Sequence, residues 1–406
     1  MRAPPIQIYL DSSDFSNLSD PGKRSPEHVE VERQLLAWKE AGLIEIRFSY
    51  AHVIEAAPVK REDLHFARRR LGYIKSICGL HCLACPITIV EEELRRVCNG
   101  VVREIPGGLY RNNGDWIPEL GNDILDIPSP EKLLREELVA MNLGRDARRK
   151  AERTYFHHAG GLKPKVLELL RRAAPAALTE ASGQYPLTVE AFRELGRYLM
   201  GSGNRENALR GLKESFFDLE TFAQWYEKQW DKITPTSSWL RKTGSELCNS
   251  LAAIAEKFRE LHASMSDQGL DAKSVDEICR RSFQDLLRSM PINIVRRLSE
   301  TLNLENCPDE LTSPWKSMPS LQTAVTVAAH VGKHSAMLPA KGRVARTSDY
   351  GDIIHVFNLP FVDIFRADGF ICSAITDAKL PFETVVVGKL RDLPAAIDRR
   401  LAKAKE

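Results

Sequence analysis

The run Ile6-Gln-Ile-Tyr-Leu-Asp11 alternates like a β-strand and closes on an aspartate, and the same grammar returns at Phe361-Val-Asp-Ile-Phe-Arg-Ala-Asp368. Two such runs, almost a whole chain apart, constrain the fold more than any other feature. They are coherent if both ends of the chain feed one sheet, and the long segment between them leaves that sheet and returns.

The first hundred residues read in that direction. After Asp11, the stretch Ser12-Ser-Asp-Phe-Ser-Asn-Leu is rich in helix-capping and turn residues. Leu35, Leu36 and Trp38 sit among charges in an amphipathic helix that Gly42 ends. Residues 44–49 alternate with period two, and Tyr50 to Ala57 is helix material halted by Pro58. A helix over 61–77, a strand-like 80–84 and a helix near 89–97 follow. The order β-α-β-α-α-β is that of an open, mostly parallel sheet with helices on both faces, whose chemistry lies at the carboxyl ends of the strands. Near the other terminus the pattern resumes, with a short helix over 350–358 and strands over 361–366 and 383–388.

The middle differs. After an irregular stretch from Ile105 to Pro130, helical segments are expected over 131–153, 163–174, 188–200, 205–230, 237–265, 271–289 and 292–302, with few strand signals. The predicted organisation is therefore α/β, with one domain made of 1–100 and 341–406 and an all-α insertion over 101–340.

The 43% apolar and 28% charged composition of the 406 residues suits a folded globular protein. The longest uncharged apolar stretches, such as Thr323 to Ala329, fall far short of the ~20 residues of a membrane span. With no apolar signal core at the N-terminus, a cytoplasmic location without membrane contact is expected. Cys78, His81, Cys82 and Cys85 cluster, but no second pair completes four metal ligands, so packed thiols are the simpler reading. A net charge of +2 does not itself point to nucleic acid, so any phosphate affinity must be local. Arg68-Arg-Arg70 reads as a solvated helix face, whereas Arg343 and Arg346 immediately precede acidic residues and read either as solvent-facing loop charges or as groups that engage a phosphate backbone.

Four carboxylates stand out by placement: Asp11 ends the first strand, Glu55 sits on the helix after the second, Asp352 opens the late helix and Asp368 follows the late strand. Asp and Glu make up 55 of 406 residues, so one acidic strand end means little, and the weight lies in order and placement. Here Tyr9-Leu-Asp-Ser-Ser-Asp14, Phe48-Ser-Tyr-Ala-His-Val-Ile-Glu55, Asp349-Tyr-Gly-Asp-Ile-Ile-His355 and Leu359 to Asp368 together resemble the PIN-like nuclease family. The resemblance covers roughly 5–98 and 345–390 and leaves the insertion unmatched.

It implies a magnesium- or manganese-dependent endonuclease acting on RNA, with Asp11, Glu55, Asp352 and Asp368 as catalytic metal ligands. Mg²⁺ favours hard oxygen ligands, and like charges without a cation raise one another's pKa. Asp363 is a further candidate ligand, Asp14 and Asp349 are second-rank, and Ser13 is placed to bind a phosphate or Asp11. The stripe Phe216, Phe217, Phe222, Trp225, Tyr226 and Trp230 reads as bundle core rather than a base-stacking surface. Gly201-Ser-Gly-Asn204 reads as a turn, and His157-His158 as a surface pair. The alternative to an enzyme is a PIN-like binding or scaffold module whose helical insertion docks a protein partner.

Overall fold

The computed structural model describes residues 4–56, 60–100, 105, 108–117, 129–158, 161–230, 256, 260, 263–265, 267–337, 346 and 348–404. Two compact units divide the chain: residues 1–118 with 234–406, and residues 119–233.

The first unit starts with β1 (Ile6–Tyr9), α1 (Ser12–Ser19), α2 (Pro26–Glu40), β2 (Ile44–Arg47), α3 (Tyr50–Glu55), α4 (Leu64–Cys78), β3 (Cys82–Leu83), α5 (Pro86–Asn99) and β4 (Tyr110–Arg111). The second unit contains α6 (Pro130–Ala140), α7 (Arg145–Tyr155), α8 (Pro164–Gln184), α9 (Val189–Leu199), α10 (Arg205–Phe217) and α11 (Leu219–Lys228). The chain then returns to the first unit with α12 (Ala272–Thr301), α13 (Pro314–Ser317), α14 (Pro319–Met337), α15 (Ser348–Val356), β5 (Ile364–Arg366), α16 (Gly369–Ala378), β6 (Val385–Val387) and α17 (Leu393–Lys403).

The main sheet has the order β2-β1-β5-β6, and all its pairings are parallel. Both ends of the chain therefore build it, β1 and β5 meeting at its centre through Ile8 with Ile364 and Tyr9 with Phe365. Alternation along the strands sends Tyr9 and Phe365 to one face, where their rings stack 5.3 Å apart at 4°. Val327 and Val331 of α14, Val356 of α15 and Ile371 of α16 close over them. Ile8, Ile46 and Ile364 take the other face and are buried, and α2 and α17 pack against the strands. Full burial of one such side chain is worth roughly 1.5–3 kcal/mol, so the register is strongly specified. Beside the sheet, β3 and β4 pair antiparallel, and a bridge from Phe48 to Cys82 continues β2.

The unit boundaries differ from the expected insertion over 101–340. Its last part belongs with the sheet, because α14 is apolar on more than one side. Val327 and Val331 enter the cluster around Tyr9, while Leu321 and Val325 pack with Leu94 and Cys98 of α5 and Val295 of α12. The two helices expected over 271–289 and 292–302 are one, α12, with Pro291 inside it. The expected helix over 131–153 divides instead at Asn142, whose φ of 47° is left-handed. Most of the expected helix over 237–265 lies outside the described residues.

In the second unit, strand pairing among the described residues is limited to one bridge, Phe156 with Leu162. Tyr226 and Trp230 are buried and Phe216, Phe217, Phe222 and Trp225 half-buried, in the manner of a packed core rather than an open stacking platform. Their rings meet one another, as in Phe216 with Trp225 at 6.3 Å and Tyr226 with Trp230 at 6.1 Å.

A buried carboxylate joins α5 to α14. Glu93 accepts hydrogen bonds from the backbone N–H groups of Ser320 at 2.8 Å and Leu321 at 2.9 Å. These are orphan donors of the first turn of α14. Burial outweighs them and pushes the carboxyl up to about 7. A folded-state pKa above the unfolded one means that stability is lost as pH rises from the unfolded value through about 7. We expect Glu93→Gln, which keeps an acceptor and drops the charge, to gain on the wild type by on the order of 2–3 kcal/mol between pH 5 and 8, read from urea midpoints. Parallel pH profiles for the two proteins would exclude Glu93 as the cause.

Candidate functional site

Each acidic residue at the carboxyl rim of the sheet is fixed by a local rule. Asp11 follows β1 and caps α1: its Oδ1 accepts the Ser13 N–H at 2.7 Å, while Asp14 Oδ2 reaches back to the Asp11 N–H at 3.1 Å. Asp368 follows β5 and caps α16, accepting from the Ile371 N–H at 2.8 Å. Glu55 ends α3, which follows β2, and Asp352 sits in α15, which packs against α3. Gly351 permits that approach, because a Cβ there would stand 1.9 Å from Glu55 Oε1.

Asp352 lies within electrostatic reach of the other three. Burial first, then Asp11, Glu55 and Asp368 in turn, push the Asp352 carboxyl up to about 8, with His355 acting against them. At neutral pH Asp352 therefore holds a proton that a nearby cation would displace.

Glu55 is instead paired with His355. Its Oε2 lies 3.1 Å from Nε2 of the buried His355 ring, which also stands 3.0 Å from Ser12 Oγ. Burial alone would raise the Glu55 carboxyl, but His355, Ser12 and Arg70 hold it below its ordinary range. Burial likewise disfavours a protonated His355, and Glu55, Asp11 and Asp352 outweigh it, so the ring stands above its usual value. On the other side of the ring, Nδ1 is 2.6 Å from the Tyr9 hydroxyl. That hydroxyl is also 2.6 Å from Ser49 Oγ and accepts from the Asn358 amide at 3.2 Å.

Comparison of the chain with models of protein families, with curated proteins and with solved structures finds no match.

Asp363 does not join the other four. It precedes β5, whereas Asp368 follows it, and five residues of extended chain separate them by about 16 Å. Its carboxylate accepts from the Gln7 N–H at 2.9 Å and pairs with Arg400 at 2.8 Å, a tie at the opposite end of the sheet. Asp14 is buried against Arg366, with Oδ1 2.9 Å from Nη2, and supports the Asp11 turn from behind. Asp349 accepts the Arg346 N–H at 2.6 Å and so serves the start of α15. Ser13 is exposed, and its N–H donates to Asp11. Arg346 is exposed, and Arg343 lies outside the described residues. Cys78, Cys82 and Cys85 are buried free thiols that burial pushes up to about 12 or beyond, in keeping with packing rather than ligation.

Sequence reasoning passed over Tyr9, Ser12, Ser49, His355 and Arg366. A signal existed for one of them: His355 stands three residues after Asp352, on the same helix face, as Glu55 does after His52.

All four rim side chains offer hard carboxylate oxygens, the donor chemistry of Mg²⁺ or Mn²⁺. Among the described residues no three His, Cys, Asp or Glu side chains already form a coordination shell. The fit therefore rests on the donor chemistry of these four side chains.

Proposed function

We propose that the chain is a PIN-like, metal-dependent endonuclease cutting phosphodiester bonds in single-stranded RNA. What supports this reading is that Asp11, Glu55 and Asp368 all stand close enough to the buried Asp352 to raise its carboxyl, at the carboxyl side of a parallel sheet built from both chain ends.

Asp11, Asp352 and Asp368 would hold the ion, with Glu55 kept ionised by His355 as the fourth ligand. A bound Mg²⁺ or Mn²⁺ supplies Lewis acidity to the phosphodiester and lowers the pKa of an attacking water. The protein's own part is orientation. Capping bonds fix one oxygen of Asp11 and one of Asp368, which holds both carboxylates at the ends of their strands. Cations stand close by: Arg70 donates to the Glu55 carbonyl at 3.1 Å and to Ser16 Oγ at 2.9 Å, and Arg68 and Arg69 are exposed on the same helix. Such groups position a phosphate backbone without reading sequence.

The test is cleavage of single-stranded RNA by the purified chain with Mn²⁺ or Mg²⁺, set beside calorimetric titration of the ion. Cleavage that chelation abolishes and added metal restores is the expected result. A protein that binds neither ion and cuts no nucleic acid would move the assignment to a PIN-like binding module, with residues 119–233 as its docking unit.

A further inference from the structure

We propose that His355 is a positioning residue that holds the Glu55 carboxylate and the Ser12 hydroxyl at the acidic rim and is itself anchored by the buried Tyr9 hydroxyl. The inference rests on the nuclease reading and adds to it a group outside the carboxylate set.

A histidine buried in a core for packing alone needs only one donor and one acceptor. This ring has three side-chain partners, and two of them belong to the rim: Glu55 at 3.1 Å and Ser12, the residue after Asp11, at 3.0 Å. The anchor behind it is stiff. Tyr9 is fully buried, stacks on Phe365 at 4° and keeps its hydroxyl 2.6 Å from both Ser49 Oγ and His355 Nδ1. The neighbouring His52, 4.5 Å away between ring centroids, cannot take over. Its Nδ1 accepts the Ser49 N–H at 3.0 Å and its Nε2 faces the Leu10 carbonyl at 2.9 Å.

Glu55 is thereby gripped on two sides. Oε2 meets His355, while Oε1 lies against Gly351, where a Cβ would come within 1.9 Å. The arrangement is not a nucleophile and base of the serine-hydrolase type. Ser12 and Glu55 share one ring nitrogen, and the other faces the Tyr9 phenol, so no carboxylate stands on the nitrogen opposite Ser12. Orientation of Glu55 is the role left for it, as partners behind metal ligands commonly provide.

The experiment compares wild type, His355→Ala, His355→Gln and Tyr9→Phe as full chains, measuring Mn²⁺ affinity by calorimetry, RNA cleavage at saturating Mn²⁺, and unfolding midpoints in chelator. His355→Ala should weaken Mn²⁺ binding by about 10- to 100-fold, the usual cost of losing such a partner. His355→Gln, whose amide can still donate to Glu55, should recover most of that loss, and Tyr9→Phe should weaken binding with Glu55 untouched. Should His355→Ala fail to fold, the other two variants carry the test. Wild-type Mn²⁺ affinity in His355→Ala, or in both His355→Gln and Tyr9→Phe if the alanine variant is unfolded, overturns the inference while leaving the nuclease reading in place. A glutamine variant as weak as the alanine one, at an equal midpoint, also overturns it. A wild type that neither binds Mn²⁺ nor cuts RNA removes the nuclease reading and this inference together.

Discussion

Asp11→Asn is expected to keep the fold and lose Mn²⁺-dependent cleavage by at least about 10²-fold, the scale on which single groups that stabilise developing charge act. The reason for trusting such a clean separation lies in the cap. The Asp11 side chain accepts the Ser13 N–H at 2.7 Å, and an asparagine oxygen caps a helix about as well as a carboxylate. What the substitution removes is charge. Asp11 is the first carboxylate, after burial itself, among the causes that push Asp352 up to about 8. In chelator, the variant should therefore match or exceed the wild type in unfolding midpoint above pH 7, because ionising Asp352 meets less repulsion. Cleavage must fall while the midpoint holds or rises. Lost cleavage together with a collapsed midpoint would mean that Asp11 acts through the fold, and full cleavage by the variant would remove it from the site.

How far the sequence revealed this arrangement depends on whether the causes were local. The sheet was legible because alternation in Ile6–Tyr9 and Ile44–Arg47 is a local signal, and Asp11 and Asp368 were legible as acids that follow a strand run and cap the next helix, whereas Glu55 and Asp352 lie within helices where no such local rule marks them. Asp363 was misplaced because two aspartates bracket β5 and only the strand's direction in a parallel sheet decides which one reaches the rim. The helicity of α14 was visible, yet its destination was not: the partners of Val327 and Val331 include Tyr9, more than three hundred residues earlier. His355 was hidden for the same reason. Its spacing from Asp352 hinted at a shared face, but Tyr9 and Glu55 become its partners only through the closure of the two chain ends. The family resemblance speaks to none of the second unit, whose function stays with the proposal above.

The largest stability effect should come from Arg366→Met, and it should appear only at high pH. Asp14 is almost fully buried, with Arg366 Nη2 at 2.9 Å and the Asp11 N–H at 3.1 Å, yet burial outweighs both and places its pKa at about 7. That value lies above the unfolded one, so the wild type loses stability as pH rises from the unfolded pKa to about 7 and then levels off, both states being ionised. Without Arg366 the folded-state pKa moves well above 7, and the loss continues where the wild type has levelled off. Each further unit costs about 1.4 kcal/mol, so the gap should reach roughly 3 kcal/mol by pH 9. At pH 6 Asp14 is protonated in both proteins. The variant there exchanges a buried guanidinium, whose Nε finds no hydrogen-bond partner among the described residues, for an apolar chain of similar reach, a change that is often neutral. Urea midpoints at pH 6 and pH 9 decide it, with Asp14→Asn/Arg366→Met as the control in which the pH-dependent gap should vanish. A gap of equal size at both pH values would mean that Arg366 stabilises the rim by packing, and that Asp14 is not held ionised by it.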